Sequence, residues 1–147
     1  EDAFYQFELV KYAKKYVVTT KPYYYYFHRE NSITTKPYTV KNMNCIEIYS
    51  NFYDYINREI PSLSEYAFFR LSYAYFMVFD KMLLSEDYKN ILEYREILGF
   101  LKNNFWKIFK NKNFRKGRRI AVLMLKLNVK LYRFLLLKDL KRKGVNA

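Results

Sequence analysis

Residues 45–56, CIEIYSNFYDYI, decide how this chain is read. Ile46, Tyr49, Tyr53 and Ile56 recur at steps of three and four, which stacks them on one face of a helix, and Cys45 and Phe52 widen the same stripe. Pro61 ends it, because proline has no amide hydrogen to give and clashes with the turn before it. From about Pro37 onward the helical period never gives way to another, so residues 37–147 are expected to form a multi-helix bundle.

Forward of this stripe, Ser62 and Glu65 have the spacing of a capping box and predict the start of a long aromatic helix reaching about Leu84. Ser85, followed by Glu86 and Asp87, predicts the next helix, to about Asn103, with negative charge at its positive end. Residues 105–109 read as a short helical turn and Lys116-Gly117 as a break. Residues 118–143 then read as one final helix closed by Gly144. Along it Ile120, Leu123, Met124, Leu127, Leu131, Phe134 and Leu135 cover one wide face, and Lys126, Lys130 and Arg133 line a narrow opposite stripe. Such a helix either lies on a membrane surface or packs on the bundle with the stripe outward.

Backward of Pro37 the pattern differs. Phe4, Phe7, Val10 and Ala13 predict an opening helix, residues 16–20 a short β-branched strand, and residues 23–27, after the Lys21-Pro22 break, a second strand. The expected fold is therefore mainly α: a short strand pair near the N-terminus, in a segment 1–36, followed by the helical region 37–147. The chain has no initiator methionine and opens directly on a helix, as expected of a piece of something longer.

Charge is unevenly placed. The net charge is +13, yet residues 1–109 hold fourteen Lys/Arg against thirteen acids, whereas residues 110–147 hold thirteen against Asp139 alone. A segment so one-sided suits an anionic partner. Arg118, Arg119, Lys126, Lys130 and Arg133 are the candidates for contact with an anionic membrane surface. Seventeen tyrosines and thirteen phenylalanines predict an aromatic core whose hydroxyls need partners. One cysteine, Cys45, excludes an internal disulfide, and with no secretory leader the expected setting is the reducing cytoplasm. No apolar run approaches the roughly 20 residues of a membrane span.

Few residues could carry chemistry. One histidine and one cysteine far apart match no zinc spacing, a Cys45–His28 nucleophile pair lacks an oxyanion loop, and no glycine-rich phosphate loop occurs. Asp54 and Glu59 read as helix-surface charges. What remains is Glu1-Asp2 at the first helix start and His28-Arg29-Glu30-Asn31-Ser32 after the tyrosine run. A carboxylate can take a proton from an attacking hydroxyl, and a cationic pair can hold a departing phosphate.

The order Glu-Asp, aromatic helix, Ala-Lys-Lys, β-branched strand, Lys-Pro, tyrosine run, Arg-Glu-Asn-Ser-Ile-Thr, that is EDAFYQFELVKYAKKYVVTTKPYYYYFHRENSIT over residues 1–34, resembles the second half of family 2 glycosyltransferases with a GT-A fold. These are bacterial enzymes that build capsules and other surface glycans. The later run RIAVLMLKLNVKLYRFLLLK is similar, less specifically, to the helical tail such enzymes often carry. The resemblance implies an inverting transfer from a nucleotide diphosphate sugar to a glycan or lipid-linked acceptor hydroxyl, with Asp2 as base and Glu1 beside it shaping the acceptor site. It implies Arg29, then His28, then Ser32, near the donor diphosphate and a divalent manganese or magnesium ion, which only His28 here could reach. Many relatives have arginine where this chain has Phe27, so the cationic role falls on His28 and Arg29. The family's nucleotide-binding half and its Asp-x-Asp motif precede this segment, so the chain alone is expected to be inactive and to bind no metal. The expected location is the cytoplasm, peripheral on the inner face of the membrane, and a homo-oligomer is compatible with the sequence.

A second reading belongs to another class: a basic helical module binding nucleic acid or protein through residues 110–143. Aromatic and basic residues do mix in FWKIFKNKNFRKGRR (105–119). No docking motif frames them, and the leucine content is too high for a free recognition helix, so nucleic acid is not the expected partner.

Overall fold

The computed structural model describes residues 2–25 and 37–142, and its contacts divide the chain into two units, Glu1–Lys36 and Pro37–Ala147. In the first unit, α1 spans Asp2–Tyr12. Phe7 is buried, with the Lys11 ammonium 4.2 Å from its ring centroid and paired to Glu8 at 2.5 Å. Residues 13–25 carry no strand, which corrects the expected strand pair as far as the described residues reach. Tyr16, Val17, Val18 and the tyrosines at 23, 24 and 25 are all exposed, Val18 at 93%. β-Branched and aromatic residues favour a pleated surface only when a neighbouring strand supplies the ladder bonds, and none does so among the described residues.

The second unit contains α2 (Met43–Glu59), α3 (Ser64–Met82), α4 (Tyr94–Asn103), α5 (Phe105–Lys110), α6 (Lys116–Leu127) and α7 (Val129–Arg142). The stripe read from residues 45–56 is the packing face of α2: Ile46 and Ile56 are buried, Tyr49 and Tyr53 half-buried. α2 and α3 run antiparallel, since Tyr49 accepts a hydrogen bond from Arg70 near the middle of α3 while Tyr53, one turn later on α2, meets Phe68, two residues earlier on α3, ring centroids 6.1 Å apart. The core is built on α3, whose Phe76, Phe79 and Met82 are fully buried with Ile97 and Leu101 of α4, Ile108 of α5 and Leu125 of α6. Tyr75 stacks on Phe100 at 3.6 Å and 7°, fixing α4 against α3.

Four boundaries differ from the sequence reading. Ser62 lies inside a 3-10 turn, Pro61–Leu63, and α3 begins with no side-chain cap, so the capping box does not form. A cap residue lies outside the helical conformation, whereas Ser62 is inside the turn; the residue that leaves helical geometry is Ile60, at φ −139° and ψ 62°. Ser85 starts no helix: residues 83–93 are turns around a 3-10 segment, Tyr88–Asn90, that buries Tyr88, and α4 begins only at Tyr94. Gly117 is no break but sits in the first turn of α6. The expected last helix is two helices, divided at Asn128. That residue is extended (φ −158°, ψ 124°), and its side-chain oxygen accepts the Lys130 amide at 2.7 Å while its carbonyl accepts the Tyr132 amide. Asn128 is thus the N-cap of α7, and a capped restart competes with continuation.

The division at Asn128 changes which face is inside. Val122, Leu125 and Tyr132 enter the core, whereas Ile120, Leu123, Leu127, Leu131 and Phe134, all on the wide apolar face, are exposed.

Candidate functional site

A groove of about 840 Å³ opens between α3, the 111–115 turn, α6 and α7. Its aromatic wall is Phe69, Tyr73 and Phe114, and its aliphatic wall is Leu135 and Leu136. The turn that forms one lip is held by Asn111, a buried side chain that donates to the Glu65 carbonyl at 3.1 Å and accepts from the Asn113 amide at 2.9 Å. Arg118 and Tyr132 belong to the lining and meet Asp80 of α3. Arg118 Nη1 donates to Asp80 Oδ2 and to the Tyr132 hydroxyl, each at 2.8 Å, and that hydroxyl donates to Asp80 Oδ1 at 2.5 Å. The three side chains close a ring of hydrogen bonds that ties α3, α6 and α7 together. The Arg118 guanidinium also lies 4.9 Å from the Phe76 centroid.

The charges in this ring are fixed. Burial, the largest single influence on Arg118, would draw its pKa down, but Asp80, Tyr132 and Tyr73 together hold it above the ordinary arginine value. Burial pushes the Tyr132 hydroxyl well up and Asp80 pushes it further, with Arg118 opposing. Near neutral pH Arg118 therefore keeps its charge and Tyr132 its proton. With Arg115 and Arg142 also in the lining and Asp139 paired to Arg142 at 2.9 Å, the groove is equipped to hold a ligand with an apolar body and an anionic group, not to do acid–base chemistry.

Asp80 and Tyr132 were not among the residues singled out from sequence. A signal was present: Asp80 follows nine uncharged residues, 71–79, and a charge so placed is paired when buried.

The five residues read as one cationic surface separate by type. Lys126 and Lys130 are exposed. Arg118 is in the ring, Arg119 Nε donates to the Phe109 carbonyl at 2.6 Å, and Arg133 Nε donates to the Leu83 carbonyl at 2.7 Å. The last two contacts close the carbonyl ends of α5 and α3, where unpaired acceptors and the negative end of the helix dipole favour a cation.

Of the residues assigned to the transferase site, Glu1, His28, Arg29 and Ser32 lie outside the described residues, as does the Asp2 side chain; Asp2 itself is the first residue of α1. Among the described residues no three of His, Cys, Asp or Glu converge, so these residues by themselves offer a divalent ion no site. Cys45 is a free, half-buried thiol whose pKa burial raises, with Arg70 opposing, which leaves it a poor nucleophile. No protein-family model, curated protein or solved structure matches this chain.

Proposed function

We propose that this chain is the C-terminal portion of an inverting, GT-A type family 2 glycosyltransferase that adds a sugar to a growing bacterial surface polysaccharide. The observation that carries the reading is the ordered motif in residues 1–34, from Glu1-Asp2 through the tyrosine run to Arg29-Glu30-Asn31-Ser32. Two features of the first unit support it. Asp2 is the first residue of α1, the helix that the motif's order places directly after Glu-Asp. Residues 16–25 lie in no helix and expose valines and tyrosines, an apolar surface suited to cover by another part of a protein.

In this reading Asp2 takes the proton of the acceptor hydroxyl, whose oxygen attacks the sugar's anomeric carbon while the nucleotide diphosphate departs toward Arg29 and His28. Glu1 shapes the acceptor site and Ser32 adds a hydrogen bond to the leaving diphosphate. Manganese or magnesium would neutralise that diphosphate and be held by the preceding half. The acceptor is a glycan or a lipid-linked glycan, and the enzyme works in the cytoplasm at the inner face of the membrane.

Isothermal titration of uridine diphosphate sugars plus manganese into the 147-residue chain tests the partial nature of the site. No binding tighter than millimolar is expected; micromolar binding would contradict it.

A further inference from the structure

The last two helices are apolar on the side facing away from their own core. On α6, Val122 and Leu125 are buried while Leu123 and Leu127 stay exposed, Leu127 at 69%; on α7, Tyr132 is buried while Leu131 and Phe134 stay exposed, Phe134 at 62%. Leu123 and Leu127 lie one turn apart on α6, and Leu131 and Phe134 lie one turn apart on α7, on either side of the Asn128 corner. A helix that buries one apolar face and exposes another is built for a second partner.

Charge selects that partner. Lys116, Lys126, Lys130 and Lys138 are exposed along the same two helices, α6 has no acid, and the one acid of α7, Asp139, is paired with Arg142. A second copy would set lysine against lysine. Nucleic acid would meet the lysines but leave four large apolar side chains in water. A bilayer of anionic lipid satisfies both, since leucine and phenylalanine enter the boundary between headgroups and acyl chains while lysine stems lie along it and keep their ammonium groups among phosphates. Among the described residues no helix is long and apolar enough to cross a membrane.

We propose that the outward face of α6 and α7, centred on Leu123, Leu127, Leu131 and Phe134 and fringed by Lys126 and Lys130, docks in the plane of an anionic lipid surface. Arg118, Arg119 and Arg133, bound internally, take no part. The inference stands on this face alone and survives if the transferase reading fails.

Co-sedimentation of the 147-residue chain with vesicles tests it, comparing pure phosphatidylcholine with phosphatidylcholine mixed with phosphatidylglycerol. Binding to the anionic vesicles only is expected, weakened about thirty-fold by Lys126→Gln with Lys130→Gln and at least as much by Leu127→Glu with Phe134→Glu. Leu92→Glu, which changes a leucine 90% exposed on the turn before α4, should bind as the parent does. Circular dichroism of each variant establishes that it is folded, and light scattering reports its mass. Equal binding to both vesicle types, unchanged binding of the folded Leu127→Glu, Phe134→Glu variant, or a dimer that this variant dissociates without any lipid binding would each overturn the proposal.

Discussion

Arg118, Arg119 and Arg133 each reach an internal acceptor through a planar fork of donors, whereas Lys126 and Lys130 remain in water. The division follows from chemistry: a guanidinium is weakly hydrated and can serve several acceptors at once, while an ammonium loses more on leaving water. Asp80→Asn would leave the Arg118 charge partly buried without its counter-charge, so it should lower unfolding free energy by about 3 kcal/mol. Tyr132→Phe removes only the neutral member and should cost about 1 kcal/mol. Urea denaturation of both variants measures this, and equal stability of Asp80→Asn and the parent would contradict the ring's role. Tyr38 gives a pH signature. Burial first, then its 2.9 Å hydrogen bond to Glu93 and that carboxylate's charge, push the Tyr38 pKa up to about 12 from an ordinary value of 10.0. Below pH 10 both folded and unfolded chains keep this proton; between 10 and 12 the unfolded chain releases it first, so stability falls as pH rises. Tyr132, raised in the same direction, adds to the fall. Denaturation midpoints should decline from pH 9.5 to about 11.5, less steeply in Tyr38→Phe, and a flat profile would contradict these assignments.

At the scale of elements, α2 was legible because its stripe is interrupted by nothing and Pro61 stops it. α5 was legible for the same reason of period. The α6–α7 pair was not. Its residues are apolar on two sides, so periodicity favoured the wider face, whereas the Asn128 cap, the bonds of Tyr132 to Arg118 and Asp80, and the Arg133–Leu83 bond fix which face turns inward. The capping box failed because Pro61 extended the preceding turn through Ser62. Gly99 marks an element still open to improvement: it lies inside α4, and a Cβ there would meet nothing within 4 Å. Gly99→Ala should therefore raise stability by about 0.5–1 kcal/mol through a smaller loss of backbone entropy. A thermal midpoint unchanged or lowered would show that α4 does not limit unfolding.

At the scale of the molecule, the two units carry different parts of the account. The unit 37–147 has an aromatic core, a groove floored by a fixed ion pair, and an outward apolar face ringed by lysines. The helical class of this unit was legible in the period of its apolar residues; the ring of Asp80, Arg118 and Tyr132 was not, because it joins positions 14 to 52 residues apart that no local pattern relates. The unit 1–36 carries the transferase proposal, through residue order rather than through packing. The most direct test is sugar transfer by the full product of the gene that encodes this chain, assayed with nucleotide diphosphate sugars and manganese, for the parent and for Asp2→Asn. The account predicts turnover in the parent and a loss of at least about a hundred-fold in the variant with donor affinity retained; a parent that turns over no donor, or a variant as fast as the parent, would contradict it.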